Sequence, residues 1–219
     1  MQDTLVHQPL DEHLASVIWL HGLGADAFDF ADLPQQLGLA DNVRFLLPNA
    51  PVRRVTMAGG MGLRSWYDIL AAAPERVISE KELAESVAQV HALIEHELES
   101  GIPAHRIVLG GFSQGGAVAW QSLLTSPWAL GGLVALSTYI ASPDSVSQES
   151  FSIHRHTPML VMHGLNDDVV PLELGEQSIA HAKNWGFSPQ WHALPGLEHE
   201  VAPQQLEAIG RFLLPLVRD

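Results

Sequence analysis

A serine, an acid and a histidine, met in that order along the chain, set the chemistry this sequence can do. Ser113 lies in Gly110-Gly111-Phe112-Ser113-Gln114-Gly115-Gly116, directly after the apolar run Ile107-Val108-Leu109. A serine hydroxyl attacks a carbonyl only when it is exposed, rigidly held and next to a base. A sharp turn from strand to helix exposes it but forces an unusual backbone conformation on the serine. Side chains two positions to either side would then collide, and Gly111 and Gly115 occupy those positions. The stretch Ala117 to Leu124 can continue as a helix whose N-terminus faces the serine. Ser113 is the candidate nucleophile, although glycine-rich turns after strands are common and the pattern G-x-S-x-G also arises by chance.

The acid and the histidine are expected beyond later strands. His163-Gly164-Leu165-Asn166-Asp167-Asp168-Val169-Val170-Pro171 follows the apolar run Met159 to Met162 and offers Asp167 and Asp168 in one turn. Asp144 follows a strand less directly, and no histidine comes soon after it. Of the later histidines, the pattern puts His181 in a helix and His192 in a strand. His199 lies in a loop, Leu194-Pro195-Gly196-Leu197-Glu198-His199-Glu200, and is the candidate base. Attack on a carbonyl also needs N–H donors for the developing oxyanion. Gln114, next to the serine, supplies one. Leu23, in His21-Gly22-Leu23-Gly24 after an early strand, is the candidate for the other. That loop also fits the dinucleotide pattern G-x-G-x-x-A over residues 22–27. The dinucleotide pattern expects an acid at the end of the second strand, where Pro48-Asn49 stand instead.

The elements that must position these residues alternate. Short apolar runs at 16–20, 43–47, 106–109, 133–136, 159–162 and 188–194 are separated by helical patterns, which predicts an α/β fold with a mostly parallel sheet. The clearest helix starts at Ser79, with Glu82 three residues on as a capping box, and carries the stripe Leu83, Val87, Val90, Ile94, Leu98. Others follow Pro171 and Pro203, and a weaker candidate spans Asp26 to Leu37. Ala50 to Ile78 breaks the rhythm and reads as a long functional loop. Within it, Met57, Met61, Leu63, Trp66 and Ile69 could line an apolar trough, and flexible methionines would make that trough tolerant of chain length. Arg64 could meet an acidic leaving group or simply pair with a surface carboxylate. Asp68 reads as a hydrogen-bonding brace for the loop.

Composition narrows the class. Apolar residues make up 47% and charged residues 16% of 219, the profile of a folded globule, expected as one domain over 1–219. A formal charge of −14 repels nucleic acid and anionic membranes. The chain has no cysteine, so thiolate metal sites, disulfides and a cysteine nucleophile are excluded. Twelve histidines leave a metal hydrolase conceivable, but none shows H-E-x-x-H spacing. Residues 1–14 lack the pattern of a signal peptide, and no apolar run approaches the roughly 20 residues of a membrane span. A cytoplasmic location without integral membrane association is expected.

Several motifs, in order, resemble the phospholipase/carboxylesterase group of α/β-hydrolases, which includes acyl-protein thioesterases and small bacterial carboxylesterases. They are Leu20-His21-Gly22-Leu23-Gly24, Pro48-Asn49-Ala50-Pro51, Ser65-Trp66-Tyr67-Asp68, Gly111 to Gly116, Ala135-Leu136-Ser137-Thr138-Tyr139, and His163-Gly164 with Asp167 and Val169-Val170-Pro171. The resemblance covers nearly the whole chain. It implies an α/β-hydrolase fold with helices on both faces of the sheet, and 219 residues leave little room for a lid, so no large lid domain is expected. It assigns the acid to Asp167 and supports the backbone donors at Leu23 and Gln114. It gives Trp66 a place in the active-site wall, and Met61, Leu63 and Tyr67 are expected to bind substrate with it. The family's glycine just before the histidine is replaced by Glu198, which could alter that loop or perturb His199. The resemblance further implies hydrolysis of short- to medium-chain acyl esters or thioesters, no cofactor or metal, a small-molecule acyl substrate and possible homodimers. Tyr67 and Thr138-Tyr139 look more like the bacterial carboxylesterases. The rivals are acyl-protein thioesterase, lysophospholipase and a non-catalytic ligand-binding protein on the same scaffold.

Overall fold

The computed structural model describes residues 3–72 and 76–217. Its strands are β1 (Thr4–His7), β2 (Ala15–Leu20), β3 (Val43–Pro48), β4 (Val52–Val55), β5 (Met61–Arg64), β6 (Ile69–Ala71), β7 (Val77–Ile78), β8 (Ile107–Phe112), β9 (Gly132–Leu136), β10 (Met159–Gly164) and β11 (Gln190–Leu194). Its helices are α1 (Leu33–Gln36), α2 (Glu80–Glu99), α3 (Gln114–Leu124), α4 (Gln148–Ile153), α5 (Leu172–Asn184) and α6 (Pro203–Val217). Seven strands form the central sheet in the order β1-β3-β2-β8-β9-β10-β11. All neighbours are parallel except the edge pair β1 and β3.

The interior strands are apolar on both faces because helices cover both. Along β2, Val17 and Trp19 pack into one core with Phe45, Leu136, Met162, Ile209 and Leu213. Ile18 and Leu20 point the other way, into a core with Val90, Ile94, Trp120 and Leu123. This period of two is the pleat itself. Every residue of α3 is buried, so that helix is apolar all round rather than striped. Gly110 faces the Trp19 ring, and a Cβ there would lie 2.6 Å from its Cζ3. The conspicuous glycine run thus serves packing as well as the turn.

Strand order fixes where a site can form. The chain leaves β2 to one side, into β3, and returns on the other side at β8. Diverging connections of this kind open a crevice beyond the carboxyl ends of the two central strands. The loop after β2 begins at His21 and the turn after β8 holds Ser113.

The structure departs from the expected elements in four places. The N-terminal segment contributes β1, held by its pairing with β3 from Thr4–Pro48 to His7–Phe45. The span Asp26 to Leu37 is a 3-10 turn at Ala27–Phe30 and the short α1, not one helix. The predicted loop 50–78 contains two antiparallel hairpins, β4–β5 and β6–β7, with 73–75 outside the described residues. The capping box of α2 is only half formed. Ser79 Oγ accepts the Glu82 N–H at 3.4 Å, but the Glu82 carboxylate accepts the Asp68 N–H at 2.7 Å instead of turning back. That exchange ties the helix start to the preceding segment. Among the described residues, no helix is long and apolar enough to cross a membrane.

Candidate active site

Ser113 sits in the turn between β8 and α3 with φ 56° and ψ −123°. A serine in this region is strained, and such strain persists only where the surroundings fix it. Ser113 N–H donates to Leu136 O at 2.9 Å, and Thr138 Oγ donates to Ser113 O at 2.6 Å. The flanking glycines are needed sterically. A Cβ on Gly111 would lie 2.6 Å from the Gly115 carbonyl carbon, and one on Gly115 would overlap the carbonyls of Leu20 and His21.

Two loops beyond the sheet bring His199 and Asp167 to this turn. His199 Nε2 lies 2.9 Å from Ser113 Oγ, and its Nδ1 lies 2.8 Å from Asp167 Oδ2. The remaining Asp167 oxygen accepts the N–H groups of Val169 at 3.0 Å and Val170 at 2.8 Å. Burial works to raise the Asp167 pKa. The His199 hydrogen bond and the Val170 N–H outweigh it and hold this carboxyl below its ordinary value. Asp168, the alternative acid, is exposed and lines the cavity, and the carboxylate bonded to His199 is that of Asp167.

The histidine loop is locked to the acid turn by backbone. Leu165 N–H donates to Leu194 O at 3.0 Å and Asn166 N–H to Leu197 O at 2.9 Å. Gly164 permits this approach, because a Cβ there would lie 2.6 Å from Glu198 O. Leu197 is buried as the anchor and Glu198 is exposed to solvent, so replacing the family's glycine leaves the loop seated.

The loop after β2 faces the serine from the other side, and Gly22, Leu23 and Gln114 line one cavity with Ser113. Its support comes from side chains. Buried His21 donates from Nδ1 to Gly22 O at 2.7 Å and accepts the Ala50 N–H at Nε2 at 3.0 Å, which sets its tautomer. Trp66 Nε1 donates to His21 O at 2.8 Å. The Gln114 side chain accepts the Trp66 N–H at 2.8 Å and donates to Tyr67 O at 2.6 Å. Burial lowers the pKa of His21 and keeps it neutral. The dinucleotide alternative has no helix to use here. The loop runs into a 3-10 turn of four residues, whose first N–H groups are already met, that of Ala27 by Asn49 Oδ1 at 2.8 Å and that of Phe28 by Asp26 Oδ1 at 2.8 Å.

The cavity measures about 660 Å³ and its walls are mainly apolar, with Phe30, Met57, Ile69, Val169 and Val201 among them. Three of the residues expected to bind substrate lie elsewhere. Met61 and Leu63 belong to the β4–β5 hairpin, paired with Val55 and Arg53, and Met61 is 60% exposed. Trp66 is fully buried behind the His21 loop, where it braces the loop's backbone rather than forming the cavity wall. Tyr67 does line the cavity. Arg64 pairs with Asp3 at 2.7 Å, away from the site. Asp68 accepts the Thr56 N–H at 2.8 Å and so braces its own segment.

Sequence reasoning missed His21, the side chain of Gln114, and Phe112, whose ring lies 4.7 Å from that of His199. His21 gave a usable signal, a polar residue between a buried strand and Gly22. Phe112 gave none beyond adjacency to Ser113. Among the described residues, no group of three or more His, Asp or Glu is placed to hold a metal ion.

A parallel sheet with an elbow serine after a central strand, and a later acid and histidine beyond its far strands, defines an α/β-hydrolase. The profile of the Phospholipase/Carboxylesterase family matches residues 1–216, and the chain belongs to that family. It is similar to "Acyl-protein thioesterase 1" of Neurospora crassa, 38% identical over 222 residues, covering 94% of this chain and 90% of that protein. Among solved structures it resembles acyl-protein thioesterase 2 of Zea mays, with a TM-score of 0.89 and 27% identity, covering 98% of this chain and 99% of that one. It also resembles SOBER1 of Arabidopsis thaliana, with a TM-score of 0.83 and 30% identity, covering 93% and 99%. The chain is thus an ester or thioester hydrolase of the acyl-protein thioesterase and carboxylesterase family.

Proposed function

We propose that this protein is a serine carboxylesterase that hydrolyses short- to medium-chain acyl esters through Ser113, His199 and Asp167. The observation that carries this reading is the position of His199, 2.9 Å from Ser113 Oγ and 2.8 Å from Asp167 Oδ2 at the wall of one apolar cavity. Asp167 accepts a hydrogen bond from the Nδ1–H, so the neutral imidazole keeps a lone pair on Nε2 facing the serine hydroxyl. Nε2 takes the hydroxyl proton as Oγ attacks the acyl carbon, and the Asp167 carboxylate stabilises the imidazolium. The oxyanion rests against the N–H groups of Leu23 and Gln114. His199 then protonates the leaving alkoxide, and water, deprotonated by the same imidazole, releases the acid from the acyl-enzyme. The acyl part lies along Met57 and Ile69.

Labelling with a fluorophosphonate followed by peptide mapping tests the assignment. The label is expected on the peptide holding Ser113, and Ser113→Ala is expected to abolish both labelling and the acylation burst with an aryl ester. A burst that survives in Ser113→Ala would show another nucleophile. A second reading, acyl-protein thioesterase, is favoured by the similarity to the acyl-protein thioesterases of Neurospora crassa and Zea mays. Parallel assays of acyl-thioesters, aryl esters and lysophospholipids separate the two and address the lysophospholipase rival. Covalent labelling excludes the non-catalytic binding protein.

A further inference from the structure

The chain carries 11 Lys and Arg against 25 Asp and Glu, and most of the arginines whose contacts are defined have acidic partners. Arg44 pairs with Glu97 at 3.0 Å, Arg53 with Glu85 at 3.0 Å, Arg64 with Asp3 at 2.7 Å and Arg211 with Glu207 at 3.5 Å. Arg76 differs from all of these. It lines the Ser113 cavity, and no carboxylate among the described residues pairs with it. Its Nη2 donates to Val169 O at 3.1 Å, its guanidinium carbon lies 4.9 Å from the centre of the Tyr139 ring, and its Nε is buried without a partner. A guanidinium carries five N–H donors, so the described residues leave most of its capacity unmet.

A second donor stands beside it. The hydroxyls of Tyr139 and Tyr67 lie 2.8 Å apart, and both residues line the same cavity. One phenolic proton bridges the pair, and the other is left to donate. Burial, reinforced by Tyr139, pushes the Tyr67 pKa well up, so Tyr67 stays neutral and keeps its proton. The cavity therefore has one cationic, donor-rich corner in a mainly apolar wall that also carries Asp29 and Asp168. A half-buried charge without a counter-ion is costly, and the cost is relieved when a ligand supplies the anion. Planar guanidinium matches carboxylate well. Asp168 lines this cavity, and Glu173 lines the adjoining groove of about 550 Å³ that Arg76 shares. These acids favour a single negative charge over a dianionic phosphate.

We infer that Arg76, backed by Tyr139 and Tyr67, is a specificity-determining residue that selects acyl esters bearing a carboxylate remote from the scissile carbonyl. The inference rests on the reading of Ser113 as nucleophile. The carboxylate itself is unchanged in the reaction; only the acyl C–O bond breaks, and His199 returns the serine's proton to the leaving oxygen. A carboxylate on the acyl chain and one on the alcohol both fit the chemistry, and two substrate pairs distinguish them. 4-Nitrophenyl hydrogen adipate is compared with 4-nitrophenyl hexanoate, and 4-carboxyphenyl hexanoate with phenyl hexanoate. The ratio of kcat/KM, charged over neutral, is expected to fall at least tenfold in Arg76→Met for one pair, with Arg76→Lys intermediate. The pair that responds identifies the side of the ester that meets Arg76. A ratio unchanged in both pairs would overturn the inference and leave Arg76 as a strap to Val169. So would wild-type enzyme that hydrolyses both charged esters over a hundredfold less efficiently than their neutral partners, a result that needs no variant. Fluorophosphonate labelling of the same samples separates the failures. Absent labelling of Ser113 in the wild type counts against the nucleophile, whereas normal labelling with an unchanged ratio counts against Arg76 alone.

Discussion

The two sides of Ser113 are built differently. The base side is made of strand ends. Asp167 follows β10, His199 follows β11, and backbone hydrogen bonds from Leu165 and Asn166 clamp one loop to the other. The proposed oxyanion side is held by side chains from distant segments. His21, Trp66 and the Gln114 amide hold the 21–24 loop through contacts that span 29 to 48 positions of sequence. The first side is set by fold topology and needs little beyond short turns. The second depends on a network in which each polar group satisfies another, and such networks fail as units.

Removing the acid is the largest expected break after the nucleophile itself. Asp167→Asn keeps the shape but no longer fixes the His199 tautomer, and kcat is expected to fall about 10⁴-fold, as for other triads of this kind. Asp168→Asn, one residue on and exposed, is expected to stay within a few-fold. Steady-state kinetics on one aryl ester decide it, and the reverse pattern would move the acid to Asp168 and contradict the geometry at His199.

The oxyanion side should break more softly. Trp66→Phe keeps a buried aromatic ring but removes the hydrogen bond to His21 O, together with part of the indole's volume. The donor at Leu23 is then displaced rather than deleted, and kcat is expected to fall about ten- to hundredfold with little change in KM. A change confined to KM would instead return Trp66 to the substrate wall.

This contrast also explains what the sequence disclosed. The order serine, acid, histidine was legible because each residue follows a strand, and strands announce themselves as short apolar runs. Even the choice between Asp167 and Asp168 needed coordinates or a family pattern, since neighbouring turn residues differ only in direction. The hairpins β4–β5 and β6–β7 were not legible. Met57, Gly59, Gly60 and Gly62 read as a loop, and only cross-strand pairing reveals that Met61 faces Val55. β1 was hidden in a polar segment because an antiparallel edge strand needs only one covered side. Trp66 looked like a cavity residue because tryptophan is large and apolar, whereas its position is set by one indole N–H.

Acidity probes both sides together. His21 on one side and His163 on the other are held neutral, with pKa values lowered first by burial from the ordinary 6.5. His163 donates from Nε2 to Val170 O at 2.8 Å, within the acid turn. Below about 6.5 the unfolded chain binds protons that the folded chain refuses, so stability falls with pH from there down to the folded values. Melting temperature is expected to be lower at pH 5.5 than at pH 7.5, and His21→Gln is expected to flatten that slope. A flat wild-type profile would mean that these imidazoles titrate in the folded protein as they do in the unfolded chain.

The smallest expected effect lies within the 50–78 segment itself, and it separates its two hairpins. Met61→Ala alters an exposed side chain outside the cavity, and exposed changes of this kind usually shift stability by less than about 0.5 kcal/mol. The chain-length profile on 4-nitrophenyl esters from acetate to octanoate is expected to stay as in the wild type. Ile69→Ala, on β6 and in the cavity wall, enlarges the space against which the acyl chain packs. Its optimum is expected to move toward longer chains by one or two methylenes, each worth about 0.8 kcal/mol of burial. If Met61→Ala shifted the optimum and Ile69→Ala did not, the acyl chain would run under the first hairpin. The cavity would then serve the leaving group, and Arg76 would meet the alcohol side of the ester.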